Sequence, residues 1–280
     1  MIEIPFRMLR EGVPIIVLPV FINGEGPFDF VLDTGNAVGQ AALALISETL
    51  GQRLSIEAVE SKDFRGAYAV GDTHRPEILA GRVDSLALGE VVRRDVPVGI
   101  TAIFDRLGEQ IGAPIHGNIG NSFLKDYAVS IDYKHCTLRL ERGGGSVLRG
   151  EPFRLSAPYP VMIVPVWVNG QGPYDFAVDT GAGHTIISER LAEELALVRG
   201  RDASVKGGAG DTGGFWTEID TLEAAGANCG RMPVVASGFF PSMRAASGEP
   251  LDGIIGYNVL RHYTVVIDYP GSTIALTSAG

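Results

Sequence analysis

A block of 21 residues occurs twice in this chain. Residues 15–35 read IIVLPVFINGEGPFDFVLDTG, and residues 161–181 read VMIVPVWVNGQGPYDFAVDTG. Offset by 146 positions, 11 of the 21 residues are identical, and most of the others exchange one apolar side chain for another. Each copy is an apolar run, a turn of the form Asn-Gly-x-Gly-Pro and a second apolar run that ends in Asp-Thr-Gly. An Asn-Gly pair between two such runs is a hairpin signal. A chain that writes the same hairpin twice, this far apart, builds two similar bodies rather than a solenoid.

The likeness extends beyond the block. Pro5-Phe6-Arg7 returns as Pro152-Phe153-Arg154. Later, residues 117–124 (GNIGNSFL) parallel 253–260 (GIIGYNVL), and 128–140 parallel 264–276, now at an offset of 136. The second copy is therefore ten residues shorter in its middle. Three consecutive glycines, 143–145, read as a flexible joint and divide the chain into residues 1–145 and 146–280. Strands dominate both halves. One short helical stretch follows each Asp-Thr-Gly, over residues 41–50 in the first copy and after an N-cap at Ser188 in the second. The fold class is mainly β, in two small lobes.

Composition narrows the partners. With 45% apolar and 20% charged residues the chain has the makings of an ordinary core. A formal charge of −10 argues against nucleic acid and anionic membrane, which attract basic surfaces, and favours neutral or cationic substrates. No apolar run is long enough to span a bilayer. The N-terminus lacks the pattern of a signal peptide, which makes the cytoplasm the expected location. Cys136 and Cys229 occupy unrelated places in the repeat and read as free thiols. His74, His116, His135, His184 and His262 are scattered without ligand spacing, so neither a metal nor another cofactor is expected.

Asp-Thr-Gly at the end of a strand has a physical logic. The strand aims the carboxylate. Gly35 and Gly181 let backbone amides come close to it. The Thr34 and Thr180 hydroxyls can donate to the backbone of the opposite loop. If the loops face each other, Asp33 and Asp179 hold one proton between them, because two close carboxylates do not both ionise. One then takes a proton from water while the other polarises a carbonyl, which is chemistry for hydrolysing a peptide bond. A third such triplet, Asp211-Thr212-Gly213, follows a glycine-rich stretch instead of an apolar strand and has no counterpart in the first half. It reads as a hairpin tip. Asn36 and Ala182 occupy the matched positions after the two glycines. The Asn36 amide is placed to donate to Asp33, whereas the Ala182 side chain offers Asp179 nothing comparable. If that contact forms, Asp33 is the general base and Asp179 the acid; the other reading is that Asn36 merely caps the turn.

On these two Asp-Thr-Gly loops, and on the later Asp252-Gly253-Ile254-Ile255-Gly256, the chain resembles the retropepsin-like aspartic proteases. It looks like two retropepsin-type halves fused in tandem, as in the pepsin-like pseudo-dimers. The resemblance implies two closed β barrels with about one short helix each. It also implies a peptide or protein substrate, and an aspartic endopeptidase whose catalytic pair, Asp33 and Asp179, forms within one chain acting as a monomer; the other assembly open to such a chain is a dimer whose lobes pair between chains. The alternative on the same fold is a weakly active or inactive peptide-binding protein. The first half departs from the pattern, with His116 where the second has Asp252 and Asn118 where it has Ile254. Such halves close a glycine-bearing hairpin over the substrate. The corresponding segments here are 63–68, with Gly66 and Tyr68, and 207–216, with Gly208, Gly210 and Trp216 as flap and wall residues.

Overall fold

The computed structural model describes residues 1–10, 13–36, 42–64, 77–143, 150–157, 160–207 and 210–278. The repeated block folds as the expected hairpin in both halves. In the first, strand Val13–Ile22 pairs antiparallel with Glu25–Leu32; in the second, Met162–Val168 pairs with Gln171–Val178. Asn23 and Gly24 turn the first with φ of 53° and 80°, and Asn169 and Gly170 turn the second with 51° and 73°. Asn-Gly suits such a turn because both residues tolerate positive φ.

In the first lobe the ladder closes on itself. From Val13–Ile22 it runs through Glu25–Leu32, Gly117–Ile119, Ala44–Ser47, Val91–Thr101 and Leu79–Leu88, which pairs back onto Val13–Ile22. The result is a six-stranded barrel filled by Leu18, Phe30, Ile46 and Leu86, all fully buried. The second lobe follows the same order, with one break. The counterpart of Leu79–Leu88 is split into Gly210–Ile219, paired with Met232–Ser237, and Leu222–Ala224, paired with Met162–Val168. Asn169 Oδ1 accepts the backbone N–H groups of Asp220 and Thr221 at the break, at 2.7 and 3.1 Å, so those amides leave the ladder.

Both lobes share a third sheet. Its central strands, Tyr127–Asp132 and Tyr263–Asp268, come one from each half and pair antiparallel, Ala128 opposite Asp268 through Asp132 opposite Thr264. Val129, Ile131, Val265 and Ile267 are fully buried beneath it, so a single apolar core runs from one lobe into the other. The matched Phe6 and Phe153 pack edge-on against Tyr133 and Tyr269, at 6.2 and 6.0 Å between ring centroids.

Within the helical stretch expected over 41–50, residues 44–47 form a strand and the helix begins only at Glu48. Ala44–Ser47 lies between two neighbours and is buried on both faces, and the helix is Glu48–Arg53. Ser47 starts it, its side chain accepting from Leu50 N at 3.1 Å, as Ser188 starts Glu189–Glu194 by accepting from Leu191 N. Among the described residues each lobe also carries two further α-helices: Ile103–Ile111 and Asn121–Leu124 in the first, Phe240–Ser247 and Tyr257–Leu260 in the second. Cys136 and Cys229 are free thiols. Among the described residues no helix is long and apolar enough to cross a membrane. Of the glycine joint at 143–145, Gly143 is described and residues 144 and 145 lie outside the described residues.

Candidate active site

The two Asp-Thr-Gly loops meet. Each Asp follows a buried strand, Glu25–Leu32 or Gln171–Val178, whose apolar residues fix its direction. Behind each loop the later element pairs parallel with that strand, so Asp33 N donates to Ile119 O at 2.9 Å and Asp179 N to Ile255 O at 3.0 Å. Gly120 packs so tightly there that a Cβ would collide with the Asp33 carbonyl oxygen.

The threonines lock the loops together. Thr34 and Thr180 are buried. Thr34 N donates to Thr180 Oγ1 at 3.1 Å, and Thr180 N to Thr34 Oγ1 at 3.0 Å. Each hydroxyl passes its own hydrogen across to the other lobe, Thr34 to Val178 O and Thr180 to Leu32 O, both at 2.8 Å. Four hydrogen bonds thus tie two backbones through side chains that serve as donor and acceptor at once.

The carboxyls of Asp33 and Asp179 lie together, close enough for the charge of one to act on the other. The glycines cross over: a Cβ on Gly35 would overlap the Asp179 carboxyl, and one on Gly181 would sit 3.1 Å from Asp33 Cγ. Burial is the main force raising both pKa values. For Asp33 the charge of Asp179 adds to it, and the Asn118 amide opposes it. For Asp179 the backbone N–H of Gly181, bonded to Oδ1 at 2.7 Å, is the strongest opposing contact.

Asn36 is placed differently from the sequence expectation. Its Nδ2 donates to Asn118 Oδ1 at 2.8 Å, and Asn118 Nδ2 donates to Asp33 Oδ2 at 2.9 Å. Asn36 is one step removed, and Asn118 is the residue in contact with the carboxylate. The relay fixes the amide of Asn118, since flipping it would set its oxygen against the carboxylate. Nor is Asp179 left without support, because the backbone N–H groups of Gly35, Gly181 and Ala182 all favour its charged form. The argument that Asn36 alone makes Asp33 the base therefore fails; the donors are divided between the two carboxyls.

His116, the other departure of the first lobe, keeps a job that Asp252 does in the second. His116 Nδ1 accepts from Asp29 N at 3.1 Å, and Asp252 Oδ2 from Asp175 N at 3.0 Å. Burial is the main cause holding the His116 pKa below its ordinary value, which suits a neutral ring with a lone pair to offer. Neither His116 nor Asn118 announced these roles in the sequence. The offset of 136 that matches them to Asp252 and Ile254 was the signal.

Gly66, Tyr68 and Gly208 lie outside the described residues. Gly210 opens strand Gly210–Ile219, which forms a hairpin with Asp202–Gly207. Asp211-Thr212-Gly213 lies in that strand just past the tip, opposite Lys206, Val205 and Ser204. Trp216 lies further along, edge-on to the His184 ring at 5.0 Å. Among the described residues no group of His, Cys, Asp or Glu is arranged to hold a metal ion.

A family model described as Aspartyl protease matches residues 18–123 and 164–259, one segment in each lobe. No curated protein matches the chain closely enough to count as a relative.

Proposed function

The chain belongs to the aspartyl protease family, and from that premise we propose that it is an active endopeptidase whose lobes, 1–145 and 146–280, each supply one catalytic carboxylate, Asp33 and Asp179. The observation that carries this reading is the close carboxyl pair inside the crossed Thr34 and Thr180 contacts. The pair holds one proton. Its ionised oxygen takes a proton from a water molecule, and the oxygen that bears the shared proton polarises the scissile carbonyl. The water oxygen adds to the carbonyl carbon, and the proton taken by the dyad goes to the leaving nitrogen as the C–N bond breaks. Which carboxyl holds the charge is a property of the pair rather than of either residue.

The substrate is a peptide in extended form. Such chains pair by backbone with an exposed strand and place alternate side chains to either side. Because the dyad is assembled from both lobes of one chain, a monomer suffices.

The test is cleavage of a mixed peptide library from pH 3 to 8 by wild type, Asp33→Asn and Asp179→Asn. The expected result is cutting by wild type and loss of at least about 10²–10⁴-fold in each variant. A wild type silent across the range, yet able to bind peptides, would replace the enzyme with a peptide-binding protein on the same fold.

A further inference from the structure

A cavity of about 1,330 Å³ lies on the second lobe. Its wall includes Gly183 and His184, four and five residues beyond Asp179 on the same loop. The first lobe reaches it at Pro14, since a Cβ on Gly183 would stand 3.2 Å from Pro14 Cγ. The cavity is therefore lined by the loop that carries one aspartate and by an edge of the opposite lobe.

Its charge is unlike that of the whole chain. Two aromatic rings on the wall, Trp216 and Tyr257, each carry a guanidinium over one face: Arg201 at 5.4 Å and Arg261 at 5.6 Å from the ring centroids. Stacking occupies the flat face of a guanidinium and leaves its N–H edge free to bind a carboxylate in a fork. The acidic residues on the wall, Glu218 and Asp220, both lie against a third arginine, Arg231, at 2.7 and 4.0 Å. Among the described residues neither Arg201 nor Arg261 has a carboxylate partner. Arg261 Nε points to His262 Nε2 at 3.3 Å, which leaves the terminal nitrogens unassigned. Burial lowers the His184 pKa, so that ring adds a hydrogen-bonding group to the wall rather than a charge.

We propose that this cavity is a substrate subsite that receives a carboxylate of the peptide. The carboxylate is an Asp or Glu side chain on one side of the scissile bond, or the C-terminus of a short substrate. The proposal rests on the peptidase reading for the identity of the ligand. The net charge of −10 favours cationic substrates at long range. At contact distance two stacked, unpaired guanidinium groups outweigh it.

The experiment uses matched peptides that differ only in Glu, Gln or Lys at each position around one cleavable bond, each made with a free or an amidated C-terminus. Wild type is expected to prefer Glu over Gln at one position by about tenfold in kcat/KM, the scale of a charge-assisted hydrogen bond partly open to water. A preference that survives amidation identifies a side chain; one that follows the free C-terminus identifies the terminal carboxylate. In the double variant Arg201→Gln/Arg261→Gln the ratio is expected to fall to about one, and Arg201→Lys/Arg261→Lys to keep part of it. The same peptides are bound to Asp179→Asn protein and followed by fluorescence anisotropy, so that the subsite is read without the chemistry. Cleavage with neither an acidic preference at any position nor a preference for the free over the amidated C-terminus, or a preference that persists in the double Gln variant, overturns the subsite alone. A silent wild type whose Asp179→Asn form still selects Glu overturns the peptidase and retains the subsite. Absence of both cleavage and selective binding overturns both.

Discussion

Asn118 gives a hydrogen of its Nδ2 to Asp33 Oδ2 at 2.9 Å, from a strand position at which the second lobe carries Ile254. A donor to a carboxylate favours its charged form, and the benefit reaches the whole pair because the proton is shared. Asn118→Ile, which makes the first lobe like the second, is expected to raise the pKa of the acidic limb of the kcat/KM profile by about one unit. Asn36→Ala is expected to move it less, because Asn36 acts through Asn118. A full pH–rate profile of each variant is the measurement. An acidic limb unmoved in Asn118→Ile would remove the residue from the account.

The carboxyl pair lowers stability at neutral pH. Both folded pKa values lie above the ordinary 3.8 of an aspartate, with burial as the main cause. A group raised on folding binds more protons in the folded state, so stability declines as pH rises from 3.8 towards the raised value. Asp33→Asn or Asp179→Asn removes one charge from the pair. Each is expected to raise Tm at pH 7 by several degrees, at about 2–4 °C per kcal/mol for a chain of this size. The gain should vanish near pH 4. Thermal melts at both pH values decide it, and a variant no more stable than wild type at pH 7 would contradict the argument.

The duplication made the two hairpins, the two Asp-Thr-Gly loops and the mainly β fold legible, because apolar alternation and Asn-Gly turns are local signals. The strand at Ala44–Ser47 was not legible. A short run of Ala, Leu and Ile is compatible with helix or strand, and only its burial between two neighbouring strands selects the latter. Asn118 and His116 looked like losses when read one residue at a time. Their partners, Asp33 and Asp29, are 85 and 87 residues away, and such contacts leave no local pattern. The cavity with Arg201 and Arg261 was equally hidden, since total charge carries no information on where unpaired charges gather.

Thr34 and Thr180 are expected to matter for stability as well as activity. Thr34→Val removes the hydroxyl that donates to Val178 O and accepts from Thr180 N, and leaves a buried N–H and a buried carbonyl unpaired. The loss is expected to be about 2–4 kcal/mol. Thr34→Ser keeps the hydroxyl and should recover most of it. Denaturant unfolding of both variants tests this, and equal stability of the Val and Ser forms would show that the hydroxyl contacts contribute little.

The three Asp-Thr-Gly triplets allow a comparison inside one molecule. A Cβ at Gly35 would overlap the Asp179 carboxyl, so Gly35→Ala must push the two loops apart. A displacement of that kind is expected to lower kcat/KM by about 10²-fold or more. A Cβ at Gly213 would meet nothing within 4 Å, and its strand lies along a hairpin remote in sequence from either loop. Gly213→Ala, with Asp211→Asn beside it, is therefore expected to cost far less activity than Gly35→Ala, since neither change disturbs the contact between the two loops. Among the described residues Asp211 accepts from Ser204 Oγ, at 3.1 Å, and it is exposed. Steady-state kinetics of the three variants under one set of conditions settles the matter. A large loss in Asp211→Asn would mean that the third triplet takes part in the chemistry, and the pairing of the first two would then have to be reconsidered.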